Sequence, residues 1–314
     1  GGGVGEETTF ILLQRLLASV SLPVWAHGGI GLHTAAACYT AGAAGVVLDA
    51  QLALTRESPL PETARALIAR LDGSETITLG AELGEDYRLY ARPGLPVLEE
   101  LRQITRTLDQ DSRPRAERLE AWCRAVRERA GWGPPEQCVW LLGQDAAFAK
   151  PLARRFHTVG GIVQGFREAI ASHVRMAASA RPLDQGGPMA RSHGTHYPIV
   201  QGPMTRVSDV PTFALRIAEG GALPFLALAL LRGDEVKTLL EETHRLLGHR
   251  PWGVGILGFV PFELRQEQLE VIRAFRPPYA LIAGGRPDQA HLLEQEGIPT
   301  YLHVPSPGLL QMFL

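Results

Sequence analysis

The chain has 314 residues, 45% hydrophobic and 20% charged, which excludes a disordered chain, a collagen-like repeat and a disulfide scaffold. Its formal net charge of -2 creates no field of one sign that would recruit nucleic acid or anionic lipid. The basic residues are almost all arginine, scattered along the chain, with Lys150 and Lys237 the exceptions. Cys38, Cys123 and Cys138 are far apart and in no metal-ligand pattern, so a reduced, cytoplasmic setting is expected. No apolar run reaches the roughly 18 residues of a membrane helix, and no basic leader is visible. The sequence opens on Gly1-Gly2-Gly3-Val4-Gly5 rather than Met and closes on Met312-Phe313-Leu314; we expect a piece of a longer polypeptide.

In chain order, residues 1–79 read as a glycine loop followed by alternating helices and strands. Helical apolar spacing covers 10–20. Residues 22–26 form a short apolar run without alternation, as a buried parallel strand does. A small-residue helix follows at 34–40, a second buried strand at 45–48 and a helix at 61–71. Residues 80–190 read as a helical insert, with charged amphipathic helices at 98–108 and 113–129 and further helices at 146–156 and 162–177. Residues 139–142 suit a short strand or a helix start, and 182–188 have linker composition. Residues 191–314 return to strand–helix alternation. Strands are expected at 198–201, 222–229, 252–260, 279–283 and 300–304, with helices such as 235–247 and 264–275 between them. Repeated β–α units imply a parallel sheet, either barrel or doubly wound, with ligands at the carboxyl ends of the strands.

Two strand ends carry turns suited to ligands. His27-Gly28-Gly29-Ile30-Gly31 lies between a strand and a helix. Glycine there lets backbone N–H groups approach an anion, and the helix start adds partial positive charge. A plain tight turn is the alternative. Gln201-Gly202-Pro203-Met204-Thr205 ends another strand and leaves its backbone open to a flat ring, or is again a plain loop.

Together these segments resemble a known family. Pro198-Ile199-Val200-Gln201-Gly202-Pro203-Met204 resembles the first strand of the nitronate monooxygenase (2-nitropropane dioxygenase-like) family, and Pro251-Trp252-Gly253-Val254-Gly255 its third. Gly1-Gly2-Gly3-Val4-Gly5 resembles the loop after its sixth strand; 22–31 and 42–48 resemble its seventh and eighth. The resemblance covers roughly 200 residues and is strongest to copies embedded in polyketide-synthase-like multienzymes, relatives of FMN enoyl reductases. It implies an α/β fold of the (β/α)8 TIM-barrel type, here incomplete and in permuted order. Residues 1–79 would be the C-terminal part of a barrel, 80–190 the insert and 191–314 the N-terminal part. Either a tandem array of barrels or a circular permutation accounts for that order. The two parts are expected to close into a seven-stranded incomplete barrel or to form a homodimer.

The resemblance also implies FMN, reduced by NADH or NADPH, and a small-molecule or acyl-thioester substrate, with the other domains of a synthase as partners. Flavin would be held by Gly1, Gly2, Gly28, Gly29, Asp49, Ala50, Gln201, Gly202, Pro203, Met204 and Gly255. Three positions depart from the family pattern. Asp49-Ala50 stands where Gly-Thr is usual, Gly3 where the loop commonly carries the base His, and Gly255 where an Asn often contacts flavin. A carboxylate beside a phosphate is repulsive unless bridged, and a glycine takes no proton. His27 and His303 end predicted strands and are the candidate catalytic histidines. His193 and His196, three apart, have no third ligand nearby, so no metal is expected. Asp145, in Gly143-Gln144-Asp145, is read as a helix N-cap, or as part of an insert that closes over the barrel mouth and supplies donors to a ligand. A non-catalytic scaffold segment of a multienzyme, or a phosphate-binding barrel without flavin, are the other functional readings.

Overall fold

The computed structural model describes residues 7–314 and divides into two compact units, Gly1–Ser179 and Ala180–Leu314. The architecture is α/β in both.

In unit 1 two short strands pair in parallel, β1 (Trp25–His27) with β2 (Gly45–Val47), in the register Ala26 opposite Val46. Helices Thr9–Ser19 and Leu32–Thr40 flank them. Their buried faces contribute Leu13, Ala35 and Cys38 to a core with Ala26 and Ile30, closed by Leu152, Ile162 and Phe166 from farther along the chain. Trp25 lies over Gly45, where a Cβ would come within 2.8 Å of the indole.

Residues on either side of position 80 form structure that periodicity does not announce. Strands β3 (Thr76–Leu79) and β4 (Tyr87–Tyr90) form an antiparallel hairpin. Helices Pro96–Asp109 and Arg115–Arg129 pack on it, as their amphipathic patterns predict. Trp122 is fully buried in this core beside Leu89 and Leu101, and its indole N–H donates to the Glu85 carbonyl at 2.9 Å. Ala64 and Ile68, from helix Glu62–Ile68, belong to the same core, so residues on both sides of position 80 share it. The stretch 139–142 makes only isolated bridges, Val139 with Ala130 and Leu141 with Leu89.

Unit 2 is a five-stranded parallel sheet in chain order: β5 (Val200–Gln201), β6 (Leu223–Ala227), β7 (Gly253–Leu257), β8 (Tyr279–Ala283) and β9 (Thr300–Leu302). Each strand is followed by a helix: Pro211–Glu219, Gly233–Leu247, Phe262–Phe275, Pro287–Glu294 and Pro307–Phe313 in turn. Side chains alternate across a strand with period two. Leu226, Val254, Ile256, Ala280 and Ile282 accordingly meet Val236, Leu240, Ile272 and Leu293 of the helices in one core. Buried positions Val236, Leu239, Leu240, Thr243 and Leu247 recur at helical spacing, which is why that segment is a helix and which face it buries. The helix starts where the Glu235 carboxylate accepts the Arg232 N–H at 2.8 Å.

The other sheet face carries Phe225, Gly253, Gly255, Tyr279 and Tyr301. Phe225 lies over Gly253, where a Cβ would come within 2.4 Å of its ring, and meets Tyr301 edge-on with centroids 6.2 Å apart. His193, from the short helix Pro188–His193, stacks on Tyr279 at 5.4 Å and Tyr301 at 5.9 Å near the start of those strands. Among the described residues no helix is long and apolar enough to cross a membrane.

Candidate functional site

The turn after β1 joins a strand to a helix, as the sequence reads. Gly28 and Gly29 take φ of +94° and +69°, the left-handed region in which a side chain is strained. The chain then enters helix Leu32–Thr40, whose first turn is tied by Thr34. Its hydroxyl accepts the Gly31 N–H and donates to the Gly29 carbonyl, both at 2.7 Å. Thr9 caps the outer edge by donating to the Gly28 carbonyl at 2.6 Å.

The inner edge is already occupied by the chain itself. Asp145, 1% exposed, accepts the Gly29 N–H on Oδ1 at 2.7 Å. Its Oδ2 accepts from Gln51 Nε2 at 3.0 Å. Gln51 is fully buried and also donates to the Ile30 carbonyl at 2.9 Å, while its Oε1 accepts the Asp49 N–H at 2.8 Å. One amide thus joins the turn after β1, the turn after β2 and the segment around Asp145. Asp145 is not the N-cap that its sequence position suggests. It lies inside the 3-10 turn Gln144–Phe148, whose cap is Gly143, and its carboxylate reaches across to residue 29.

The electrostatics follow from this burial. Removal from water raises the Asp145 pKa, and the nearby Asp49 carboxylate raises it further; the Gly29 N–H, His27 and Gln51 act in the opposite direction. Asp49 begins the 3-10 turn Ala50–Leu52 and faces His27, with Nε2 and Oδ2 3.1 Å apart. Beside the turn is a cleft of about 340 Å³, lined by Thr8, Thr9, Gly28, Gly29, Arg88 and Asp145 among others.

In unit 2 the turn after β5 has a different construction. Gln201 reaches sideways onto β6, accepting the Phe225 N–H and donating to the Phe225 carbonyl, each at 3.3 Å. The Met204 N–H donates to the buried Ser208 hydroxyl at 2.7 Å, and the Ser208 carbonyl accepts the Ala227 N–H at 2.9 Å. Met204 is exposed, and a Cβ on Gly202 would meet nothing within 4 Å. Pro203 packs directly on Gly255, where a Cβ would fall 2.2 Å from two atoms of the proline ring. The proline fills the space that a side chain on β7 would need.

Of the residues expected to act together, the structure joins His27, Gly28, Gly29, Asp49 and Ala50 in unit 1, and Gln201, Gly202, Pro203, Met204 and Gly255 in unit 2. Gly1 and Gly2 lie outside the described residues, as does Gly3. His303 follows β9; its N–H donates to the Ile282 carbonyl at 3.2 Å and its side chain is exposed. His193 and His196 do not converge on one centre. Nε2 of His193 faces the Tyr301 hydroxyl, and Nδ1 of His196 faces Gln185 Nε2 at 3.3 Å. Among the described residues no three His, Cys, Asp or Glu side chains come together to hold a metal. Sequence reasoning missed Gln51. Its only signal is a lone amide in the otherwise apolar run after Asp49.

The flavin that the resemblance implies would meet two differently furnished turns. The phosphate group does not fit at the turn after β1: the Gly29 N–H is taken by Asp145, and Asp49 adds a second carboxylate. In the turn after β5 the Met204 N–H is likewise taken, by Ser208, and the Gly202 carbonyl accepts from Gln201 Nε2; what the turn leaves is space beside Gly202, where a Cβ would meet nothing within 4 Å.

No family model matches the chain, and no curated protein matches it. Among solved structures it is similar to FabK from Thermotoga maritima, with 22% identity and a TM-score of 0.36, over 40% of this chain and 39% of that one. It is also similar to nitroalkane oxidase from Streptomyces ansochromogenes, with 20% identity and a TM-score of 0.36, over 40% of this chain and 45% of that one. The chain therefore spans less than half the length of either protein.

Proposed function

We propose that the chain is an oxidoreductase module of the FMN-barrel type, similar to nitronate monooxygenases and barrel enoyl reductases, within a polyketide- or fatty-acid-synthase-like protein. The observation that carries this reading is in unit 2. Five parallel strands follow one another in chain order, each with its helix, and β5 opens at its carboxyl end onto the Gln201–Met204 turn. Ligands of such sheets gather at that end.

A flavin would supply the hydride chemistry, and the protein's part is to bind and orient. The open side of Gly202 would leave room for the ring. Ser208 fixes that turn through the Met204 N–H, and Pro203 resting on Gly255 sets its height. His303 would stand near the strand ends as a polar neighbour. His27, held by Asp49, would be the second candidate for proton transfer. We assign NADH or NADPH as reductant, an acyl-thioester double bond as substrate in preference to a nitronate, and a cytoplasmic setting. Association into a homodimer belongs to the same proposal.

A second reading, a non-catalytic scaffold segment of the multienzyme, is favoured by a specific observation: the carboxylate of Asp145 on the Gly29 N–H. The visible absorption spectrum of the purified protein separates the two. A flavin spectrum, with FMN released by heat, supports the oxidoreductase. A protein that remains colourless after FMN is added refutes it and leaves the scaffold.

A further inference from the structure

We infer that Asp145 is a built-in anion, occupying the cradle that Gly28, Gly29 and the start of helix Leu32–Thr40 would otherwise offer to a phosphate, so that unit 1 takes no phosphate-bearing cofactor at this turn. The inference concerns unit 1 alone and stands whether or not unit 2 meets a flavin.

Three features carry it. The cradle is real: two consecutive glycines in the left-handed region turn the backbone so that the Gly29 N–H points at an acceptor, ahead of a nine-residue helix. The acceptor is supplied from 116 residues away in sequence, by a side chain with almost no solvent exposure, so it is placed by the fold and not by local turn geometry. The second carboxylate oxygen is also engaged, by Gln51, which is itself anchored to Ile30 and Asp49. Neither oxygen is left to rotate away. A phosphate entering beside Arg88, on the wall of the adjoining cleft, would have to displace a doubly held carboxylate and face Asp49 as well.

The test uses the full chain labelled with 15N, reading the Gly29 amide resonance during titration with inorganic phosphate and, separately, with FMN. In the wild type that resonance is expected to stay in place through millimolar phosphate. In Asp145→Ala it is expected to move saturably with phosphate, because the N–H has lost its internal acceptor. Saturable movement in the wild type overturns the inference. So does a folded Asp145→Ala protein whose Gly29 amide ignores phosphate, since the turn would then be no anion cradle. Should the alanine variant fail to fold, Asp145→Asn keeps an acceptor oxygen and drops the charge. Its Gly29 amide is expected upfield of the wild-type position and insensitive to phosphate; an unchanged position overturns the inference. The flavin spectrum plays no part in these outcomes, so failure here is distinct from failure of the oxidoreductase reading.

Discussion

Replacing Gln51 by leucine tests whether a single buried amide holds the three turns of unit 1 together. Leucine nearly matches glutamine in volume, so the cavity contribution is small and the loss is polar. Three hydrogen bonds disappear: to the Ile30 carbonyl, to Asp145 Oδ2 and from the Asp49 N–H. Neutral bonds contribute about 1 kcal/mol each and those to a charged partner about 1.5–3, and groups left unpaired in the interior cost more still. The expected destabilisation is about 3–5 kcal/mol. In a unit of this size 1 kcal/mol corresponds to roughly 2–4 °C, so the unit 1 transition should fall by about 10 °C. Calorimetry should be paired with amide exchange, read at the Asp49 N–H, which loses its acceptor, so that unit 1 is followed by itself. Gln51→Glu should be worse than leucine, because it sets a second carboxylate against Asp145. A leucine variant within about 1 kcal/mol of wild type, with unchanged exchange at Asp49, would refute this account of the junction.

Burial raises the Asp145 pKa in the fold, so its contribution to stability is fully present below the ordinary carboxylate range and declines as pH rises through its raised value. The difference in unit 1 stability between wild type and Asp145→Asn should therefore vary with pH across that window; a constant difference would count against the assignment. Gly255→Ala should destabilise unit 2 by about 1–3 kcal/mol, because the new methyl would fall 2.2 Å from the Pro203 ring and the β5 turn must shift. An unchanged melting curve would show that the proline does not rest there.

The sequence revealed the strands of unit 2 well because each is an apolar run between breakers. Tyr279–Ala283 is bounded by Pro278 and Gly284, and its limits coincide with the expected ones. The strand expected at 252–260 is shorter in the structure: pairing stops at Leu257, after which Gly258 packs against the backbone of Gly284 and Gly285. The hairpin of β3 and β4 left no usable signal. Its strands have four residues each, and the connection between them is a 3-10 turn, not a two-residue glycine turn. For the candidate site, the glycines after β1 were legible because only that residue type suits the turn. What fills the cradle was not, since Asp145 is remote in sequence and its local spacing matches an ordinary helix cap. The pairing of His27 with Asp49 was equally hidden, because it depends on the register of β1 against β2.

The strand order of unit 2 has a consequence for how this part of the chain folds. Each strand's partner is the next one along: Val200 pairs with Leu223, Phe225 with Gly253, Gly253 with Tyr279 and Ala280 with Thr300. No pairing waits for a distant segment, so loop closure is short at each step and the sheet can grow by one β–α unit at a time. A nascent chain could begin laying down β5 to β7 before β9 has been synthesised, with the newest strand always the exposed edge.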